Sequence, residues 1–68
     1  MAGPRILVTG MSGLIGGALR RGLEGRYALR ALNRRELGGV ECHRADIADL
    51  DQIQPAFRDV EIVVHLAA

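Results

Sequence analysis

Sixty-eight residues allow one small domain, and a chain of this length buries only about 60% of the surface its unfolded form exposes. Nine arginines, no lysine and eight carboxylates leave a formal net charge of +1, with the basic residues scattered and no aromatic platform among them, which argues against nucleic acid as a partner. Cys42 has no second cysteine to pair with, the start MAGPRILV lacks a signal-peptide pattern, and the run IVVHLAA is too short to span a bilayer, so the expectation is a cytoplasmic protein with no membrane role.

The first element, RILVT over residues 5 to 9, is a continuous apolar and β-branched run ended by Gly10, which predicts a short buried strand. A helix follows from Leu14. Leu14, Ile15, Ala18, Leu19 and Leu23 share helical spacing, Arg20, Arg21 and Glu24 lie on the other side, and Gly25 stands where a left-handed C-terminal cap is expected. YALRALN, residues 27 to 33, predicts a second strand with Asn33 at its C-terminal end, followed by the polar loop RRELGG.

A third strand, VECHRA, leads into a second helix. Asp49 with Gln52 three residues on is a capping-box pattern that starts this helix at Leu50. Pro55 would cost about 3 kcal/mol in a helix interior, so the helix is expected to be short or kinked. The last element, EIVVHLAA from Glu61, is apolar without alternation, the pattern of a strand covered on both faces. Strands alternating with helices and carrying continuous apolar runs predict an α/β fold, a parallel sheet with helices on both faces.

The stretch TGMSGLIG, residues 9 to 16, puts glycines at 10, 13 and 16 where the helix begins. Each glycine inside a helix costs about 1 kcal/mol relative to alanine. A turn followed by a tight helix contact would explain the spacing by itself. Its place after the first strand and at the head of a helix favours a dinucleotide site: Gly10 makes the turn, Gly13 lets a pyrophosphate reach the backbone, and Gly16 lets helix and strand pack closely. Amides at the helix start and the positive end of its dipole then bind phosphate without a lysine, and a Walker-type phosphate loop is excluded because the chain has none.

With these residues in place the sequence resembles the extended branch of the short-chain dehydrogenase/reductase superfamily, the NAD-dependent epimerase/dehydratase family. TGMSGLIG matches the family's TGxxGxxG loop, RALNRR ends the second strand, ADIAD follows the third, and VVHLAA forms the fourth. The resemblance implies a Rossmann-type sheet of order 3-2-1-4 at the N-terminal end of a larger fold. It implies cofactor contacts from Gly10, Ser12, Gly13, Leu14, Ile15 and Gly16 in the loop and helix start. Asp46 and Ile47 would lie beside the adenine, and Leu66, Ala67 and Ala68 would line the dinucleotide toward the nicotinamide.

NAD users of the family usually carry an acidic residue where this chain has Asn33, and Arg34 follows at once. An arginine there can pair with the 2′-phosphate of NADP, which tips the expected cofactor from NAD toward NADP. Arg35 is read as a solvated loop residue. Ser12 either donates to a phosphate or bonds its own backbone. Cys42 and His43 point to opposite faces of a strand and assemble no metal site, Cys42 being packing, while His65 is expected as a satisfied, buried histidine.

The family's catalytic Tyr-x-x-x-Lys pair and its Ser or Thr are not in this stretch: Tyr27 begins the second strand and lysine is absent. No catalytic residue is therefore expected among the 68. A fourth strand that is internal in the family's sheet would here be an exposed edge, so the chain is expected to be the N-terminal, NAD(P)-binding part of an oxidoreductase that moves hydride to or from a sugar-nucleotide or similar carbonyl or alcohol substrate. The parent could be an oligomer. The rival readings are a noncatalytic NADP-sensing module of the same fold and a truncated product without activity.

Overall fold

β-branched and aliphatic residues with no interruption make Arg5–Thr9 the central strand, β1, and its last four residues are all buried. The computed structural model describes residues 4–67. Beyond β1 come α1 (Leu14–Leu23), β2 (Ala28–Asn33), β3 (Glu41–Arg44), a one-turn α2 (Leu50–Ile53) continued by a 3₁₀ turn (Gln54–Phe57), and β4 (Ile62–His65). All three strand pairings are parallel and the order is β3-β2-β1-β4. The register sets Leu7 beside Val63 on one side and Arg30 on the other, with Thr9 between His65 and Leu32.

Alternate residues of β1 face opposite sides and build two small cores. Ile6, Val8, Met11 and Ala31 form one, against which Leu19 and Leu23 of α1 pack. Leu7, Leu32, Ala45 and Ala56 form the other, beneath Ile53 and Val60. Helices therefore cover both faces, as the pattern predicted. Leu7 and Val8 are fully buried, and each contributes about 1.5–3 kcal/mol of burial free energy.

The start of α1 departs from the expected apolar stripe. Leu14, Ile15 and Ala18 are exposed, at 89% for Leu14 and 69% for Ile15, and only Gly16, Leu19 and Leu23 turn toward the sheet. The reason is the close seating of the first turn. A Cβ at Gly16 would lie 2.5 Å from both the Cα and the carbonyl oxygen of Met11, so the helix rests there on main chain and its larger side chains are turned outward. At the other end Glu24 N–H bonds Arg20 O and Gly25 takes φ +86°, the left-handed cap the sequence predicted.

Pro55 acts as expected, since the α-helix stops after four residues and the proline enters the first positions of the 3₁₀ turn, where a missing N–H costs nothing. Asp49 caps α2 by accepting from Gln52 N–H at 3.3 Å. β4 differs from expectation. Its burial is low, with Ile62 44% and Val63 47% exposed, because it is the outer strand of the described sheet and neither helix reaches over it.

Arg30 is a charged residue that the apolar pattern of β2 concealed. It is 8% exposed, and its Nη1 donates to the carbonyls of Ala56 at 2.7 Å and Arg58 at 2.8 Å, while Nε lies 3.2 Å from Glu41. The guanidinium thus satisfies the carbonyl end of the 3₁₀ turn and ties it to the sheet. Arg30→Met is expected to lower the unfolding free energy by about 2–3 kcal/mol, because one buried and one part-buried carbonyl lose a charged donor. Glu41→Gln, at the half-exposed partner, is expected to lower it by less than about 1 kcal/mol. Urea unfolding of both variants checks this, and equal losses would assign the stabilisation to the ion pair instead of the carbonyl bonds.

Candidate functional site

In this strand order the chain leaves β1 toward β2 and β3, then returns to place β4 on β1's other side. Connections diverge at β1, and a crevice opens at its C-terminal end. A cavity of about 410 Å³ lies there, lined by Gly10 and Ser12 after β1, Asn33 and Arg34 at the end of β2, Ile47 after β3, and Ala67 after β4. Arg34 and Ala45 also border an adjoining cavity, of about 520 Å³, that adds Arg44, Asp46 and Gln52.

The three glycines of the loop meet different constraints. Gly10 has φ +72°, and a Cβ on it would sit 2.8 Å from Ala67 N, so it makes the turn and lets β4's end come close. Gly16 makes the tight contact with Met11 already described. Gly13 has φ −79°, and a Cβ there would meet only Gly10 O at 3.6 Å. Nothing within the described residues demands a glycine at 13, so the open space in front of it is room for a ligand.

Gly13 is also the N-cap of α1. It supplies no capping side chain, and no acidic residue stands in the first turn. Helix geometry leaves the first amides, Leu14, Ile15 and Gly16, without intrahelical acceptors, and the exposed Leu14 and Ile15 flank them. An uncapped N-terminus of a ten-residue helix, presented beside a crevice, fits an anionic group such as a diphosphate.

A polar network holds the rim. Ser12 Oγ donates to Asn33 Oδ1 at 3.3 Å, so the serine ties the glycine loop to the end of β2 instead of bonding its own backbone. Asn33 is 7% exposed, and its Nδ2 donates to Arg35 O at 3.0 Å. One amide N–H and further lone-pair capacity on Oδ1 are left over, a donor and an acceptor together, which suits a pair of ribose hydroxyls. A carboxylate in its place could not make the bond to the Arg35 carbonyl. Arg34 is 77% exposed with Nη2 3.6 Å from Asp46 Oδ1.

Thr9 Oγ1 accepts from the amides of Leu66 at 3.0 Å and Ala67 at 3.3 Å, and lies 2.7 Å from His65 Nδ1. With two donors already on the hydroxyl oxygen, its single proton goes to His65, whose Nδ1 accepts. The residues after β4 are thereby fixed to the end of β1. His65 is satisfied as expected but exposed, not buried, because β4 is the outer strand. Thr9 and its bridge escaped the sequence reading; a threonine at the very end of the first strand was the only signal. Leu66 packs against the core of Ile6, Val8, Met11 and Ala31 and is not among the residues lining the cavity. Ala68 lies outside the described residues.

His43 and Cys42 do face opposite ways: His43 Nε2 is 2.7 Å from Gln52 O, while Cys42 packs toward the α1 core. Among the described residues no group of three or more His, Cys, Asp or Glu could hold a metal ion, and no helix is long and apolar enough to cross a membrane.

Asp46 accepts from Ala48 N–H at 2.9 Å. That backbone bond and, secondly, the Arg34 guanidinium hold its carboxyl below the ordinary value of 3.8. Its contribution to stability is therefore complete above the unfolded value and is lost as pH falls through the lower folded one. Carbon-detected NMR titration is expected to place Asp46 below 3.8, and Arg34→Ala should move it upward only in part, since the Ala48 bond remains.

The sequence model of the NAD dependent epimerase/dehydratase family matches residues 6–68. The L-arabinose 1-dehydrogenase (NAD(P)(+)) of Haloferax volcanii is 36% identical over 64 residues, which are 94% of this chain and 25% of that protein. The uronate dehydrogenase of Agrobacterium tumefaciens superposes with a TM-score of 0.81 at 32% identity, over 97% of this chain and 27% of the enzyme. A short-chain dehydrogenase/reductase superfamily protein from the same organism, solved with bound NAD, gives 0.83 at 34% identity, over 94% of this chain and 20% of its own. The chain thus spans about a quarter of the length of the relatives it matches. The turn at Gly10, the uncapped helix behind Gly13 and the crevice at the strand-order reversal are the features of a dinucleotide fold, and the chain belongs to the NAD-dependent epimerase/dehydratase family.

Proposed function

We propose that these residues form the N-terminal cofactor-binding portion of an NAD(P)-dependent oxidoreductase whose substrate is a sugar or sugar acid. The observation that carries this reading is Gly13: an N-cap that its own fold does not require to be glycine, at the head of a helix with free amides. The crevice then takes the dinucleotide with its diphosphate on the amides of Leu14 to Gly16 and its adenosine ribose toward Asn33. Asp46 and Ile47 flank the adenine, and Ala67 borders the nicotinamide half. Ala68, just beyond it, is assigned the same role on the family resemblance alone.

When bound, the cofactor supplies hydride exchange at its nicotinamide. The residues of this chain bind and orient it. The Thr9 bridge holds the backbone of Leu66 and Ala67 at the edge of the crevice, and the packing of Gly16 on Met11 keeps the amides aimed into it. Proton transfer and substrate binding are assigned to residues that follow in a longer parent, where a Tyr-x-x-x-Lys pair is expected. The names of the similar enzymes, an arabinose and a uronate dehydrogenase, support an unactivated sugar over a sugar nucleotide.

Arg34 supports NADP as the preferred cofactor. It stands exposed at the end of β2 beside an uncharged Asn33, and a charged hydrogen bond to a 2′-phosphate contributes about 1.5–3 kcal/mol, enough for a tenfold to hundredfold preference. Asp46 competes for the same guanidinium only through a long, exposed contact.

Two measurements on the longer parent test these assignments. Gly13→Val should lower the unfolding free energy by no more than about 1 kcal/mol, the cost of an apolar N-cap with an uncrowded Cβ, while nucleotide affinity falls by at least about tenfold. Unchanged affinity in a folded variant would remove the diphosphate assignment. The unmodified protein should bind NADPH more tightly than NADH, and Arg34→Ala should erase the difference; equal affinities before mutation would reject the 2′-phosphate role.

A further inference from the structure

The loop between β2 and β3, residues 34 to 40, carries Arg34 and is held down at several points. Asn33 Nδ2 donates to Arg35 O at 3.0 Å, Cys42 Sγ lies 3.6 Å from the same carbonyl, and Leu37 packs against the α1 core. The remaining anchor comes from another element. Arg20, on α1, reaches across to donate from Nη2 to Gly38 O at 2.7 Å.

Two further features show that this contact is built into the fold and is more than a surface encounter. Glu24, one turn along the helix, accepts from Arg20 Nε at 2.9 Å and so orients the guanidinium, which is 24% exposed. Gly39 has φ +76°, and a Cβ on it would come within 2.7 Å of Arg20 Nη2. The guanidinium occupies the space a side chain at 39 would need. The helical pair with Glu24 alone would add little, as exposed pairs at this spacing do. The bond to Gly38, eighteen residues away in sequence, joins the helix that faces the diphosphate to the loop that faces the ribose.

We infer that Arg20 is a positioning residue for cofactor selection: by tying Gly38 to α1 it holds the loop in the one arrangement that presents Arg34 to the 2′-position. This rests on the reading of Arg34 given above. Arg20 is not among the residues that line the cavity, and its contact with the loop is made through Gly38 O. Recognition of a 2′-phosphate needs the Arg34 guanidinium in one place. A loop released at Gly38 samples more conformations, and ordering it on binding weakens the contact. The diphosphate lies on α1 itself, whose amides do not depend on this bond, so NADH binding is insulated from the change.

The test compares dissociation constants for NADPH and NADH in the longer parent, unmodified and as Arg20→Ala, Arg20→Lys, Arg20→Met and Arg34→Ala. Arg20→Ala is expected to reduce the NADPH preference about three- to tenfold with NADH affinity within about twofold of the parent. Arg20→Lys should recover part of the preference, since an ammonium can still donate to Gly38 O. Arg20→Met keeps the aliphatic stem but has no donor for Gly38 O and should act in the same direction as Arg20→Ala, which keeps the proposal testable if the Arg20→Ala protein does not fold.

A preference that persists in folded Arg20→Ala or Arg20→Met but vanishes in Arg34→Ala would overturn the tether and leave the 2′-phosphate reading intact. Equal losses of NADPH and NADH affinity in Arg20→Ala would also overturn it, by showing a general effect on α1. A parent with no NADPH preference would overturn both.

Discussion

The architecture hinges on main chain approaching main chain at the end of β1. Gly10 takes a left-handed conformation with Ala67 N against it, and Gly16 brings the first turn of α1 down onto Met11 and the Gly10 carbonyl. A single methyl group at 16 would collide with backbone that cannot swing away. These contacts set where α1 starts and which way its amides point. They also bring the end of β4 into the same corner, so the crevice has walls from β1, β2 and β4 at once.

Around that corner the polar groups are arranged to hold backbone in place. Thr9 anchors the segment after β4, Ser12 and Asn33 tie the glycine loop to the end of β2, and Arg30 on the opposite end of the sheet satisfies the carbonyls of the 3₁₀ turn. The result is a rim whose donors are already oriented, so a bound nucleotide would meet a site that needs little reordering. The charged residues lining the two cavities are Arg34, Arg35, Arg44 and Asp46, all after β2 or at the end of β3, whereas the helix N-terminus offers amides and dipole alone. Under the proposed reading, that division would let the affinity common to both dinucleotides and the discrimination between them rest on different groups.

Much of this was legible in the residues. The run ILV before a glycine, the helical spacing ending at Gly25 and the capping pair Asp49 and Gln52 each encode a local preference, and each local preference agrees with the final fold. Pro55 announced the end of α2 for the same reason. What misled were features whose burial depends on neighbours distant in sequence. Leu14 and Ile15 share the helical spacing of Leu19 and Leu23 yet are exposed, since the glycine contact turns them outward. His65 and β4 read as covered, and their faces are open because no described element lies over the outer strand.

By itself the sequence determined the element order, the two strand-flanking helices and the glycine loop at the first strand-to-helix turn, because short-range periodicity, capping and backbone freedom are written in adjacent residues. The order β3-β2-β1-β4, and with it the crevice, follows from that alternation and the family pattern. Only the tertiary structure decided that Arg30 is buried, that Thr9 grips the segment after β4, that Asn33 is bound on both sides, and that Arg20 reaches the loop bearing Arg34. Each of these depends on a side chain meeting a backbone group far along the chain, and no local rule in a sequence specifies which carbonyl or amide a long-range partner will find.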